Sequence, residues 1–162
     1  METETRARAF AEAAHGQQRY GALPYVAHLA AVRAALEGAG TGEVTETAAW
    51  LHDVVEDTAV TVEEVAAEFG PEVAALVWAV TGEGATRAER VEAQLRKVRE
   101  TPAALALKLA DRVANVEASV LTSPAHLALY RKEHAAFRHA LRGVGAGPAV
   151  EALWERLEAA LA

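Results

Sequence analysis

The stretch WLHDVVEDT places one imidazole and three carboxylates within six positions, at His52, Asp53, Glu56 and Asp57. Residues four apart share a helix face, so His52 pairs with Glu56 and Asp53 with Asp57. The two pairs are about 100° apart around the axis and can line one edge. The other side is apolar, which indicates a packed helix with its polar edge facing a cavity. Carboxylates there need a cation or a metal; a solvated helix edge is the alternative.

Aspartate and asparagine are rare in this chain and are confined to two segments. Of 23 acidic residues only Asp53, Asp57 and Asp111 are aspartates, and Asn115 is the only asparagine. Their short side chains compete for backbone hydrogen bonds, which disfavours helix interiors. A cap or turn is a reasonable explanation for Asp57. It fits the other three poorly, because helical sequence surrounds each of them.

A second polar stripe lies in ALKLADRVANVEA, residues 106–118. Lys108, Asp111 and Asn115 follow each other at i, i+3 and i+7 among apolar neighbours, so they lie along one helix face. The stripe is either a satisfied buried network or half of a site that another helix completes.

A third element is His28, in the apolar segment PYVAHLAAV. Alone it would be a structural histidine. With His52, Asp53 and Asp111 it makes a set of two imidazoles and two carboxylates. Such donors suit Mn²⁺, Fe²⁺, Zn²⁺ or Mg²⁺ with positions open for water and substrate. The chain has no cysteine, so a thiolate site is excluded.

Helical periodicity dominates the chain that must position these side chains, and glycine and proline punctuate it. No segment alternates like a strand and no linker divides the sequence. We therefore expect an all-α single domain over residues 1–162. The predicted helices cover residues 4–15, 25–37, 43–56, 61–70, 71–81, 87–100, 102–120, 125–141 and 149–160.

Composition excludes several classes of protein. With 162 residues, 52% of them hydrophobic, the chain can bury one core and is not disordered. It has no apolar run of roughly 18 residues and no signal-peptide pattern at its start, so we expect a cytoplasmic protein without a membrane span. Its net charge of −7 argues against a nucleic-acid partner. A small-molecule partner is expected, and a homo-oligomer is compatible with the sequence.

Five motifs in order resemble the HD-domain metal-dependent phosphohydrolases. They are AAHGQQRYG, PYVAH, WLHDVVEDT, FGPEVAALVWAVT and KLADRVAN, within residues 9–140. The resemblance is greatest to the (p)ppGpp hydrolase branch, which comprises the hydrolase half of RelA/SpoT enzymes and small stand-alone relatives. It implies an HD-type bundle of about eight or nine helices. It also implies hydrolysis of a nucleotide, with removal of the 3′-pyrophosphate of (p)ppGpp as the leading reaction.

The resemblance also implies a division of roles around one divalent ion, most often Mn²⁺ in this branch. Glu56 and Asp57 would orient or deprotonate the attacking water. The implied metal ligands are His28, His52, Asp53 and Asp111.

Substrate contacts are implied for five further residues. Asn115 would contact the nucleotide near the sugar or phosphate, and Arg19 would lie along the base. Lys108 would support the site through its charge. Lys97 and Tyr130 are candidates for phosphate contacts.

Three positions depart from the pattern of that branch. Tyr20 follows Arg19 where a lysine or similar residue is usual, Leu29 stands where proline is usual, and Ala114 replaces a histidine. Tyr20 and Ala114 belong near the expected nucleotide pocket. They keep two alternatives open: an enzyme for another nucleotide, such as a nucleotidase or pyrophosphohydrolase, and a non-catalytic module that binds nucleotide or metal.

Overall fold

Caps and prolines set the helix boundaries in the structure, a computed structural model that describes residues 1–162. Nine α-helices have eight or more residues, which agrees with the predicted bundle of eight or nine, and one further helix is a single turn. The helices are α1 Glu2–His15, α2 Val26–Ala39, α3 Glu43–Leu51, α4 Val54–Asp57, α5 Val62–Phe69, α6 Pro71–Val80, α7 Arg87–Glu100, α8 Leu105–Thr122, α9 Pro124–Leu141 and α10 Pro148–Leu161.

Two capping boxes begin helices in the structure. The Thr61 side chain accepts from the Glu64 N–H while the Glu64 carboxylate accepts from the Thr61 N–H, and α5 starts there. Thr86 and Glu89 make the same pair at α7. Each box satisfies two backbone donors that a helix start leaves open. Pro71, in the first turn of α6, has no backbone N–H and therefore leaves no such donor open.

The predicted helix 43–56 is broken in the structure. It ends as α3 at Leu51 and resumes as the single turn α4 at Val54. His52 and Asp53 form the junction. On a continuous helix these adjacent side chains would point about 100° apart. At the junction the His52 Nε2 and Asp53 Oδ2 atoms instead lie 3.0 Å apart.

Two shorter elements were not predicted as such. A hairpin pairs β1 Arg19–Tyr20 with β2 Leu23–Pro24, and each strand has only two residues. Strands this short show no alternation for sequence analysis to detect. A 3₁₀ turn at Pro102–Ala104 precedes α8, where one continuous helix was expected.

One hydrophobic core of 33 buried residues includes side chains from all ten helices. Helix α8 is central, since it packs against α2, α9 and α10. Leu107, Leu109 and Val113 on α8 are completely buried. The polar stripe of the same helix faces the candidate site described below. None of the ten helices combines the length and the hydropathy needed to cross a bilayer.

Helix α10 should contribute strongly to stability through Trp154. Its side chain is 1% exposed, and its ring lies edge-on to Phe137 with centroids 5.8 Å apart. We expect Trp154→Ala to lower the free energy of unfolding by about 3–5 kcal/mol, because the cavity cannot close completely. Urea denaturation measures the loss. Leu121→Ala, at a position 85% exposed, is the control and should change stability by less than about 0.5 kcal/mol. A loss below about 1 kcal/mol for Trp154→Ala would contradict this packing.

Candidate metal and phosphate site

Four side chains from three parts of the chain surround one point. His28 is on α2, His52 and Asp53 form the α3–α4 junction, and Asp111 is on α8. The Nε2 atoms of His28 and His52 lie 3.5 and 3.0 Å from Asp53 Oδ2. The same two atoms lie 3.3 and 3.5 Å from Asp111 Oδ1. The structure therefore brings together all four ligands that the sequence analysis named.

The hydrogen bonding of His52 tests whether this set fits a metal ion. His52 Nδ1 lies 2.7 Å from the Ala49 carbonyl oxygen, so Nδ1 carries the proton that is donated there. In the neutral ring, Nε2 then presents a lone pair to the carboxylates. That nitrogen is buried and has no hydrogen-bond partner. Donor atoms of His28, His52 and Asp53 lie within 4.8 Å of one another. This mixed nitrogen and oxygen donor set fits a divalent cation.

The electrostatics of the cluster also favour a cation. Burial disfavours a charged imidazole, but the carboxylates of Asp53 and Asp111 outweigh burial and raise the pKa of both His28 and His52. Burial opposes ionisation of the aspartates too. The neighbouring His52 charge nevertheless holds the pKa of Asp53 below its usual range, and Lys108 does so for Asp111. Positive charge at the centre of the cluster is thus stabilised.

Two hydrogen-bonded residues hold acidic groups of the site in place, and the sequence analysis missed both. The Tyr25 hydroxyl donates to Asp53 Oδ2 at 2.6 Å. Burial and the Asp53 charge raise the pKa of Tyr25, so it remains a donor. The Gln18 amide donates to Asp57 Oδ2 at 3.1 Å, while its oxygen lies 2.8 Å from His15 Nδ1. Hydrogen bonds of this kind fix the orientation of metal ligands and catalytic groups.

Tyr20 packs directly against the cluster. It is one of the three residues that depart from the pattern of the (p)ppGpp hydrolase branch. Its ring stacks on His28 with centroids 4.7 Å apart and planes 14° apart. Its hydroxyl donates to Asn115 Oδ1 at 2.7 Å, and Asn115 Nδ2 donates to Asp111 Oδ1 at 2.8 Å. Burial, with the charges of Tyr130 and Asp111, raises the pKa of Tyr20 to about 12. Tyr20 is therefore a neutral donor that fixes the Asn115 amide.

Glu56 lies beside the metal-ligand cluster without joining it. Its Oε1 atom accepts hydrogen bonds from the Gly82 backbone N–H and from Gln94 Nε2, the latter at 3.1 Å. Glu56 and Asp57 both line the same cavity of about 270 Å³ as the ligands Asp53 and Asp111. Two carboxylates that do not contact the imidazole nitrogens are thus available near the cluster.

One part of the lining of this cavity is cationic. Four basic side chains contribute to its lining: Arg87, Arg90, Lys108 and Arg112. Arg87 Nε and Arg112 Nη1 pair with the carboxylate of Glu133 at 3.1 and 2.8 Å. Arg112 also lies over the Tyr130 ring, 4.9 Å from its centroid. Guanidinium groups bind phosphate oxygens through charge-assisted hydrogen bonds, so this side suits a phosphorylated ligand.

A larger cleft of about 700 Å³ adjoins the cavity. Asn115 and Tyr130 line both spaces, so they mark the junction. Arg19, Tyr20 and Leu23 line the cleft from the hairpin. The Arg19 guanidinium donates to the carbonyl of Ala22. Four of the five residues predicted to contact substrate therefore divide between the cavity (Lys108), its junction (Asn115 and Tyr130) and the cleft (Arg19).

Lys97 is the predicted substrate contact that the structure does not bring into either space. Its ammonium group lies 3.3 Å from the centroid of the Trp78 ring. It donates to the Thr81 carbonyl at 3.0 Å and pairs with Glu83 at 2.7 Å. The side chain is buried and joins α7 to the segment after α6.

Comparison with known proteins identifies the family of this chain. A family model described as HD domain matches residues 7–137. The guanosine-3′,5′-bis(diphosphate) 3′-pyrophosphohydrolase of Aquifex aeolicus is 39% identical over 118 residues, which are 69% of this chain and 17% of that protein. A probable enzyme of the same name from Synechocystis is 38% identical over 133 residues, 74% of this chain and 17% of the relative. The chain thus spans less than a fifth of the length of these relatives.

A solved structure matches over nearly the whole chain. It is a metazoan ortholog of SpoT described as hydrolysing ppGpp, and it superimposes with a TM-score of 0.81 at 30% identity. The match covers 98% of this chain and 96% of that one. The family model and the structural match agree on the fold. The chain therefore belongs to the HD domain family, in the branch that includes the metazoan SpoT ortholog.

Proposed function

We propose that this protein is a metal-dependent hydrolase that removes the 3′-pyrophosphate from (p)ppGpp. One observation carries the proposal: a single cavity joins a two-histidine, two-aspartate cluster and two further carboxylates to a cationic side. That combination suits attack by water on a phosphate ester. The names of the relatives, and the 96% coverage of the metazoan ortholog, support (p)ppGpp as the substrate.

The proposed chemistry assigns the metal to the cluster around His52. When bound, an Mn²⁺ ion would lower the pKa of a water molecule and polarise a phosphoryl oxygen. Glu56 and Asp57 are the proposed acceptors for the proton of the attacking water. Attack at the phosphorus bonded to the ribose 3′-oxygen breaks that P–O bond and yields pyrophosphate with GDP or GTP. The proposed metal ligands are His28, His52, Asp53 and Asp111.

The proposed substrate spans both spaces of the site. Its 3′-pyrophosphate lies in the cavity, where Lys108, Arg87 and Arg112 offset the phosphate charge. The sugar crosses the junction beside Asn115 and Tyr130, and the base lies in the cleft with Arg19. A cytoplasmic location and a lack of nucleic-acid partners remain predictions from the sequence, with which a homo-oligomer is compatible.

A nucleotide screen with Mn²⁺ tests the proposed function. We expect pyrophosphate to be released from ppGpp and pppGpp, and the activity to disappear when EDTA removes the metal. Adenine nucleotides and nucleoside monophosphates at equal concentration are the controls. Phosphate released from monophosphates would instead identify a nucleotidase. A protein that binds Mn²⁺ but hydrolyses none of these compounds would be a non-catalytic module, and the proposal would be wrong.

A further inference from the structure

A half-buried glutamine on α7 connects Glu56 to a metal ligand of the proposed site. Gln94 Nε2 donates to Glu56 Oε1 at 3.1 Å. Its Oε1 accepts from Lys108 Nζ at 2.8 Å, and the same ammonium lies 3.4 Å from Asp111 Oδ2. Glu56, Gln94, Lys108 and Asp111 therefore form one continuous chain of polar contacts across the cavity.

The direction of the Gln94 amide follows from the chemistry of its neighbours. An ammonium group has donors and no acceptor, so the amide oxygen must face Lys108. The amide nitrogen must then face Glu56. Because an NH₂ group has no acceptor, Glu56 Oε1 must be an acceptor in this contact. Lys108 thus determines which end of Gln94 meets the carboxylate.

Gly82 secures the same oxygen from the other side. Its backbone N–H also donates to Glu56 Oε1. A Cβ atom at this position would lie 2.6 Å from Glu56 Oε1 and 2.7 Å from Arg90 Cβ, closer than side chains tolerate. The absence of a side chain at Gly82 lets α7 and Glu56 approach. Two donors consequently hold Oε1, while Oε2 makes no hydrogen bond within the protein.

We infer that Gln94 is a positioning residue for the reaction, acting through Glu56. By fixing Oε1 it presents Oε2 as the oxygen that receives the proton of the attacking water. Lys108 fixes Gln94 in turn and joins this arrangement to Asp111, so base and metal ligand keep a constant separation. The inference rests on the proposed function, because it concerns the proposed base of that reaction.

Two substitutions of Gln94 test the inference by steady-state kinetics with ppGpp and Mn²⁺. Gln94→Met keeps the length of the side chain and removes both polar ends. Gln94→Glu keeps the acceptor for Lys108, removes the donor to Glu56 and places a second negative charge beside that carboxylate. We expect both to lower kcat by about tenfold to a hundredfold, as for other groups that orient a site residue, with KM within about twofold and one metal ion retained. Gln17→Met, at an exposed position outside the site, is the matched control.

Two outcomes would overturn this role. Wild-type kcat in Gln94→Glu would mean that the donated hydrogen bond has no function. Loss of metal or a raised KM with unchanged kcat would place Gln94 in metal or substrate binding instead. A double-mutant cycle is stricter: in the Glu56→Gln background, Gln94→Met should have no further effect on kcat. Additive losses would show that Gln94 does not act through Glu56.

An NMR measurement separates this inference from the proposed function, because it needs neither turnover nor substrate. The side-chain ¹⁵N–¹H resonances of Gln94 should shift towards those of a free amide in Glu56→Ala. Unshifted resonances would refute the contact even if ppGpp is hydrolysed. Shifted resonances in a protein that hydrolyses nothing would leave the contact intact and refute the proposed function alone.

Discussion

Asp111→Ala should abolish both metal binding and hydrolysis. Asp111 Oδ1 lies 3.3 and 3.5 Å from the imidazole nitrogens of His28 and His52, so its removal takes one of four donors from the cluster. It also leaves the buried Lys108 ammonium without its carboxylate partner. Metal catalysis supplies several kcal/mol of transition-state stabilisation, and each 1.36 kcal/mol is tenfold in rate. We therefore expect a loss of about a thousandfold or more in kcat/KM.

Metal content and rate must be measured on the same sample of the Asp111 variant. Mass spectrometry of the desalted protein should find about one Mn²⁺ per wild-type chain and essentially none in the variant. Glu155→Ala removes an exposed carboxylate on α10 and should change neither quantity. An Asp111→Ala protein that keeps its metal and its rate would show that the metal site has been placed wrongly.

Glu56→Ala should abolish turnover while the metal stays bound. The Glu56 carboxylate is hydrogen-bonded to Gly82 and Gln94 rather than to the imidazoles, so its removal leaves the ligand set intact. A positioned general base contributes about 10² to 10⁴ in rate, and kcat should fall by that factor. KM should change little, because the cationic side of the cavity is unaffected. Steady-state kinetics with metal analysis gives all three quantities.

The comparison with Asp57→Ala identifies which carboxylate is the base. Asp57 is exposed and held by Gln18, whereas Glu56 is half-buried and held by two donors. If Glu56 is the base, its replacement should lower kcat far more than replacement of Asp57. If the Glu56→Ala protein loses its metal, Glu56 is a metal ligand and not the base.

The sequence predicts that the four proposed ligands come together, and the rarity of aspartate in this chain is part of the reason. Aspartates and one asparagine in an alanine- and glutamate-rich helical chain are visible without a structure. The interruption of the helix at His52 and Asp53 cannot be predicted from residue types in this way. The apolar pattern runs without interruption from α3 into α4, and no glycine or proline marks the junction. Local helix propensity does not record where the tertiary structure interrupts a helix.

The sequence also does not predict which basic side chains line the cavity. Arg87 and Arg90 stand near the start of an amphipathic helix, where sequence alone predicts solvated residues. They line the cavity because α7 lies across α9 and α8. Lys97, on the same helix, points instead to the α6 carbonyls. Which cation reaches a ligand depends on helix rotation about its axis, and a charge pattern does not specify that rotation.

The distribution of the four ligands over α2, the α3–α4 junction and α8 has a thermodynamic consequence. An ion bound there is a cross-link between segments that are distant along the chain, and the unfolded chain has no such site. Folding and ion binding are then linked equilibria. At a free ion concentration one hundred times the dissociation constant, the folded state gains about 2.7 kcal/mol. With the proposed ion bound, the thermal stability of this protein would therefore rise with the concentration of that ion.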